Sequence, residues 1–385
     1  MANNPLGQKI GILGAGQLGK MLFQASTKLN LDISFLDSST EVPVGRISDR
    51  VSIGNFKDYD DVLAFGKDKD IVSIEIEAVN VDALSELERQ GKQVYPQSSV
   101  IRLIQDKGTQ KQFFEQHQLA SPSFTLVDNK TDLVKQLNDG TITIPFVLKL
   151  RRDGYDGKGV CVIKTETDLD KAFNAPCVVE DLVTIQKELS VIVARNDKKE
   201  IAVYDPVEMV VNPHGNLLDY QLAPANIPKE KIKEAQQLAI ATANKLEIIG
   251  ILAVELFLDA NDNLWINELA PRPHNSGHHT IEACQTSQYE QHLRCIMGMP
   301  LGSTDLLSPS LLMNVLGDSD HTGPAVYEGL EECLSKKGVH PHLYGKTITK
   351  PMRKMGHINI VNPDLAEAKE TYNFIKTNLK VISHG

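Results

Sequence analysis

The chain has 385 residues, 41% of them hydrophobic and 23% charged; that is enough for two or three domains with a sizeable core, and too apolar for a disordered polymer. Its 40 basic and 50 acidic side chains leave a formal charge of −10, a field that favours neither nucleic acid nor an anionic membrane, although a local basic pocket stays open. No apolar run approaches the roughly 18 residues of a membrane span, and the first residues show no export signal. The five cysteines form no C-x-x-C pair, which argues for reduced thiols in a cytoplasm rather than a disulfide scaffold or structural zinc.

In chain order, residues 9–13 predict a short apolar strand closed by Gly14-Ala15-Gly16-Gln17-Leu18-Gly19, with a helix over 18–29 and a second strand over 33–37. A strand over 71–76, a helix over 81–89 and a short strand over 93–95 continue the alternation, so the first hundred residues predict a doubly wound α/β domain ending near Gln105. The pattern then shifts to α+β. A helix over 107–118 and a strand over 146–150 precede the glycine- and charge-rich loop 151–159. Strands follow over 160–164, 177–180, 188–195 and 201–206. Residues 229–246 place Ile232, Ala235, Leu238, Ala239, Thr242 and Leu246 on one helical stripe. Strands over 250–258 and 264–269 flank Asp259-Ala260-Asn261-Asp262-Asn263, and short strands over 311–316 and 354–360 lead to a terminal helix over 365–378.

Five segments can carry chemistry. Gly14, Gly16 and Gly19 have the G-x-G-x-x-G spacing that lets amides approach a phosphate, and Asp37 stands where a ribose ligand would. A glycine turn that only packs helix on strand would read the same. The loop Arg151-Arg152-Asp153-Gly154-Tyr155-Asp156-Gly157-Lys158-Gly159 resembles a mobile hairpin able to close over polyphosphate, but an ordinary solvated turn is the alternative. Lys149 inside the preceding apolar strand needs an anionic partner, which a nucleotide phosphate would supply. Glu255 and Glu268 give the strongest signal. A hairpin centred on Asn261-Asp262 pairs residues whose numbers sum to 523, which sets the two acids face to face. Like charges there are destabilising unless a cation bridges them, and oxygen ligands completed by phosphates suit magnesium; a different register or one protonated carboxyl is the competing account. Asn267 adds an oxygen. Glu180 to Val183 ends a strand and offers backbone groups to a purine edge, with Glu188 in reach of a ribose, though both acids read equally as surface residues. In the run from Pro271 to His278, Arg272, His274, Asn275 and Ser276 suit a substrate anion; metal binding by His278 and His279, or by His340 and His342, lacks completing ligands.

These motifs together resemble the ATP-grasp enzymes, and within them the 5-(carboxyamino)imidazole ribonucleotide synthase family of purine biosynthesis, nearly end to end. The resemblance rests on the runs 11–21, 106–111, 154–159, 267–278 and 354–359, of which the Pro-Arg-x-His-Asn-Ser-Gly-His pattern is specific to this branch. It implies an ATP-grasp fold: a pre-ATP-grasp doubly wound domain over 1–105, an ATP-grasp domain over 106–300 with a lid at about 120–185, and a small β-rich domain over 301–385. It also implies an ADP-forming ligase in which bicarbonate is phosphorylated to carboxyphosphate and its carboxyl passes to the exocyclic amine of aminoimidazole ribonucleotide. Lys107, Lys149, Gly154, Tyr155, Asp156, Gly157, Lys158, Gly159, Val160, Glu180, Asp181, Leu182, Val183, Glu188, Asn212, Asn267 and Glu268 would bind ATP, and Glu255, Asn267 and Glu268 would hold Mg2+. Gln17, Leu18, Glu75, Tyr155, Arg272, Asn275, Ser276, Lys346 and Arg353 would surround the ribonucleotide, with Lys346 and Arg353 on its phosphate. Tyr155, Asp156, Lys149 and Arg272 are the expected catalytic residues. A homodimer and a separate mutase receiving the product are further expectations.

The sequence departs from the family at Ala78, where Asn is usual, at Asn212, where His is usual, and at Lys107, where Arg is common and would provide a bidentate fork. Three other readings compete. A formate-using glycinamide ribonucleotide transformylase would share the ATP site, a nicotinamide oxidoreductase would rest on Gly14 and Gly16 alone, and a nucleotide-sensing module would bind without turnover.

Overall fold

The computed structural model describes residues 5–152, 154, 159–211 and 218–384. Its first part is a five-stranded parallel sheet in the order Val51–Ile53, Asp32–Asp37, Lys9–Leu13, Ile71–Ile74, Gln93–Val94. Ile10, Ile12, Leu13, Ile71, Val72 and Ile74 are all buried, as strands covered by helices on both faces must be. The helices Gln17–Thr27, Tyr59–Gly66 and Val81–Arg89 make the crossovers. Asp58 and Asn80 cap the latter two by accepting from their first free amides. Strand order runs outward in both directions from Lys9–Leu13, so a crevice opens at that strand's carboxyl end.

Phe124–Val127, Cys177–Asp181, Phe146–Leu150 and Val160–Ile163 form a separate four-stranded antiparallel sheet. It has its own small core, built on Val127, Leu133, Phe146, Leu148, Ile163 and Val179. Among the described residues the third sheet has nine strands. Its path is Leu264–Ala270, Gly250–Asp259, Ile185–Arg195, Val207–Val211, Leu218–Ala223, Ser310–Leu316, Lys354–Val361 and Val339–Leu343, with Ile201–Val203 paired to Ile185–Arg195. The helix Lys229–Leu246 lays Ala235, Ala239, Thr242, Ala243 and Leu246 against this sheet, largely the stripe read from its spacing.

Two expectations need adjustment. The C-terminal region is β-rich as expected, with two two-stranded sheets of its own, Gly323–Pro324 with Ile348–Thr349 and Val326–Glu328 with Lys380–Ile382, but its longer strands are shared: Ser310–Leu316 pairs with Leu218–Ala223 and continues the central sheet. Elements without a clean period were not anticipated, among them the helices Ser98–Ile104, Lys130–Asn138 and Gln288–Ile296. Gln288–Ile296 keeps a polar edge at Glu290 and Arg294 but buries Gln288, Gln291 and His292 together with its apolar residues, so its burial does not follow the apolar pattern of its sequence.

His292 joins the first sheet to the third. The Ile251 N–H donates to its Nδ1 (3.3 Å), which places the ring proton on Nε2, 2.9 Å from Ser73 Oγ. Burial pulls the imidazole down to about 4. An unfolded histidine takes its proton near 6.5, so between that value and about 4 the unfolded chain binds one proton more. This contribution to stability is therefore present above pH 6.5 and is lost on acidification. A His292→Asn variant keeps a donor and an acceptor without titrating. Relative to it, the parent should lose about 1.4 kcal/mol per pH unit below pH 6.5, measured by urea unfolding from pH 7 to pH 5. Parallel stability profiles would contradict this.

Candidate active site

Glu255 and Glu268 are direct cross-strand partners. The register that puts them there differs from the simple hairpin. The loop is three residues, 260–262, with Asp262 at φ +62 and Asp259 N–H donating to Asn263 O (3.0 Å). The turn-proximal pairs Leu258 with Leu264 and Leu256 with Ile266 are one residue out of the expected frame. A bulge between Leu256 and Glu255 then restores it, leaving Asn267 as the extra residue. The acids therefore face each other through two offsets that cancel, and the bulge turns Asn267 toward the same site.

The half-buried Glu255 carboxyl is pushed up to about 8 by burial and by the charge of Glu268, against the pull of Lys107. Glu268 goes the other way: burial raises it, but Lys107, whose Nζ donates to Oε2, outweighs that and holds it ionised. Among the described residues no group of three or more His, Cys, Asp or Glu could hold a metal by itself. Two hard carboxylates and an amide oxygen fit Mg2+ provided that phosphate oxygens complete the shell, the usual arrangement for this ion.

Cations converge on the pair from two elements. Lys107 and Lys111 lie one turn apart on the helix Lys107–Gln116, and Lys149 comes from Phe146–Leu150. Lys149 Nζ donates to Glu180 Oε2 (3.0 Å) and to Asn267 Oδ1 (2.8 Å). Lys111 Nζ lies 3.4 Å from Glu180 Oε1 and donates to Ser121 Oγ (2.6 Å). Burial pulls the Lys111 ammonium down to about 8 in spite of Glu180. The anionic partner expected of a phosphate for Lys149 is thus already supplied by Glu180. Glu180 itself is 3% exposed, which corrects its reading as a surface acid. Asp181 and Leu182 are exposed and Val183 half-buried in the turn before Ile185–Arg195. Glu188 is half-buried and raised by burial, on the same sheet face as Glu255, because Ser190, two residues on, pairs with Glu255.

The run after Leu264–Ala270 is held by its own side chains. Arg272 Nη2 pairs with Glu77 Oε1 (2.7 Å). His274 Nε2 sits 3.3 Å from Glu255 Oε1, and its Nδ1 lies 2.9 Å from Ser276 Oγ, which also meets Ser190 Oγ (2.7 Å). Ser276 is buried and Asn275 half-buried. Lys346 Nζ donates to Lys354 O (2.7 Å), and Arg353 Nη1 to Ile348 O (2.6 Å). Burial, then Arg353 and Lys354, pull the Lys346 ammonium down to about 8, while Glu75 acts in the opposite sense. Lys346, Arg353 and Lys354 thus gather positive charge within electrostatic reach of Glu75. Lys20, whose Nζ donates to Leu343 O (2.7 Å), reaches across to the same region.

At the crevice itself the glycine loop holds a carboxylate of this chain. Gly16 N–H and Gly19 N–H donate to Glu75 Oε1 and Oε2, both at 2.8 Å. Gly14 has φ +96, and a Cβ there or at Gly16 would meet Glu75 at 2.7 Å. The glycines thus serve the approach of Glu75, and the helix N-terminus where a dinucleotide phosphate would sit is filled. Asp37 Oδ2 accepts from Ala15 N (2.9 Å) and Oδ1 from Ser38 N (2.7 Å), so it braces the loop and is not presented to a ribose. Both findings remove the basis of the oxidoreductase reading. Leu18 is buried in the first domain's core, which leaves only its backbone for a ligand; Gln17 is half-buried at the helix start.

Gly154, Gly159 and Val160 border the glycine-rich loop, with Leu150 N–H donating to Gly159 O (2.8 Å). Tyr155, Asp156, Gly157, Lys158 and Asn212 lie outside the described residues. The sequence reading gave no role to Lys111, Glu77 or Ser190, and did not foresee the approach of His274 to Glu255. Only Lys111 carried a signal, its i,i+4 spacing from Lys107. The others depend on which strands and loops meet.

Three family models match the chain in succession: a ribonucleotide synthetase preATP-grasp domain over 7–105, an ATP-grasp domain over 112–289, and a phosphoribosylaminoimidazole carboxylase C-terminal domain over 310–371. The N5-carboxyaminoimidazole ribonucleotide synthase of Bacillus subtilis is 36% identical over 360 residues, 92% of either chain. The crystal structure of the Thermotoga maritima synthetase superposes with a TM-score of 0.89 at 39% identity, covering 98% of this chain and 100% of that one. The Aspergillus clavatus synthase, solved with ADP and 5-aminoimidazole ribonucleotide, gives a TM-score of 0.87 at 30% identity over 97% and 98% of the two chains. With matches of this extent across all three regions, the chain belongs to the N5-carboxyaminoimidazole ribonucleotide synthase family of ATP-grasp ligases.

Proposed function

We propose that the site joins ATP hydrolysis to formation of a carbon–nitrogen bond, carboxylating the exocyclic amine of 5-aminoimidazole ribonucleotide with bicarbonate, as the N5-carboxyaminoimidazole ribonucleotide synthases do in purine biosynthesis. The observation that carries this reading is the meeting of Glu255 and Glu268 with Lys107, Lys149 and the Asn267 bulge, next to a separate cluster of Lys346 and Arg353. One site suits a triphosphate and the other a phosphate monoester.

Bicarbonate is a poor electrophile because its oxygen is a poor leaving group. Transfer of the γ-phosphoryl group to that oxygen gives carboxyphosphate and ADP. Attack of the amine on the carboxyl carbon, directly or as carbon dioxide released from it, then gives the N-carboxylate, inorganic phosphate and a proton. Lys107 and Lys149 spread the charge that develops on the transferring group. Glu255 and Glu268, with Asn267, would hold Mg2+, which offsets the charge of the phosphates. Arg272, fixed by Glu77, and Asn275 would orient the ribonucleotide ring side, while Lys346 and Arg353 take its phosphate. To the glycine-rich segment 154–159, which includes Tyr155 and Asp156, we assign the exclusion of water from the short-lived carboxyphosphate.

Glu268→Gln and Lys149→Ala should each lower ADP formation by at least about 100-fold with an unchanged circular dichroism spectrum; undiminished turnover in either would remove the phosphate assignment. Lys346→Ala should raise the KM for the ribonucleotide at least about tenfold, the loss of a charge-assisted contact, with little change in that for ATP. Because the Lys346 ammonium loses its proton as pH rises through about 8, kcat/KM for the ribonucleotide should fall above that pH, and Lys346→Arg should abolish that fall. Equal effects on both substrates, or an unshifted inflection in the arginine variant, would place Lys346 elsewhere.

A further inference from the structure

Asp106 has a role that none of the assigned motifs requires. It is 4% exposed and caps the helix Lys107–Gln116, its Oδ1 accepting from Gly108 N (2.8 Å) and Thr109 N (3.2 Å). The same carboxylate receives a two-pronged guanidinium: Arg151 Nε donates to Oδ1 and Nη2 to Oδ2, each at 2.9 Å. Arg152 Nε stands 3.4 Å from Oδ2. The backbone closes the join, since Lys107 N–H donates to Arg151 O (2.9 Å). Gly108 has no side chain where a Cβ would lie 2.7 Å from Arg151 Nε, so the glycine permits the guanidinium to lie flat on the helix start.

The two elements joined here carry the site's cations. Arg151 follows directly on the strand that bears Lys149, and Asp106 directly precedes Lys107. The strand belongs to the four-stranded sheet, whereas Glu268, the partner of Lys107, belongs to the nine-stranded one. We propose that the Asp106–Arg151 pair is a positioning clamp that fixes the separation of Lys149 from Lys107, and so sets how the smaller sheet presents its cation to the transferring phosphoryl group. The proposal rests on the phosphate assignment above. A capping role alone would need only a short polar acceptor, and asparagine meets that need as well as aspartate. The clamp needs the charge and both oxygens, and a lysine cannot replace the planar fork.

The test compares Asp106→Asn, Arg151→Lys and the double variant with the parent enzyme. The clamp predicts that each single variant lowers kcat for ribonucleotide-dependent ADP release by about 10- to 100-fold, the scale expected when catalytic groups shift by about 1 Å, with KM for ATP changed less than about threefold. The double variant should be no worse than the worse single one, since both remove the same contact. Hydrogen exchange supplies a readout independent of turnover: the Lys107 amide should exchange at least about tenfold faster in both single variants, because the bond to Arg151 O loosens. Parent-like kcat and exchange in Asp106→Asn would show that Asp106 is a cap only and overturn the clamp. Additive losses in the double variant would also overturn it. Should the parent release no ADP with bicarbonate and the ribonucleotide, the functional reading fails, and exchange at Lys107 alone then decides whether the join exists.

Discussion

The central constraint is electrostatic: two carboxylates on adjacent strands face each other in a partly buried site. At ~5 Å, the separation of cross-strand neighbours, a like-charge pair destabilises a sheet, and here the conflict is divided between a proton and an ammonium. Glu255 is driven toward its neutral form, and Glu268 stays ionised against Lys107. Lys107 in turn is held on its site by burial outweighed by acids: desolvation would lower it, but Glu268, Glu255 and Glu180 together raise it. A fold optimised for stability alone would not place these groups so, because a buried ion pair costs about as much in desolvation as it returns. The arrangement makes sense when a polyanion and a divalent cation add the missing charges.

A second consequence concerns Glu180. Buried between Lys111 and Lys149, it holds two ammonium groups that would otherwise repel each other. This anchors the cations before any nucleotide binds. Charge is also managed at the first domain's crevice, where Glu75 occupies the amides of the glycine loop. The same G-x-G-x-x-G spacing that binds phosphate elsewhere is used here to hold an acid near the Lys346 cluster. Arg272 connects these regions, as it pairs with Glu77 two residues beyond Glu75.

Much of this was legible in the sequence, for identifiable reasons. The doubly wound domain announces itself by strict alternation, and the helix Lys229–Leu246 by its 3.6 period. A simple hairpin frame pairs Glu255 with Glu268 but is one residue off at the turn, and the bulge at Asn267 restores it; a bulge has no local sequence signature here. What could not be read are contacts made by chain segments distant in sequence. Ser190 meets Ser276 and Arg272 meets Glu77 only because the run after Leu264–Ala270 folds back on the central sheet and reaches the first domain. The continuation of the central sheet through Ser310–Leu316 was hidden for the same reason, since edge pairing leaves no trace in a strand's own composition.

On the proposed function, Glu255 and Glu268 would hold a divalent ion only together with a nucleotide. Electron paramagnetic resonance of Mn2+ titrated into the protein, with and without a non-hydrolysable ATP analogue, tests it directly. The account predicts tight Mn2+ binding that requires the analogue and disappears in a Glu255→Gln, Glu268→Gln double variant. Mn2+ bound equally well by that double variant would contradict it.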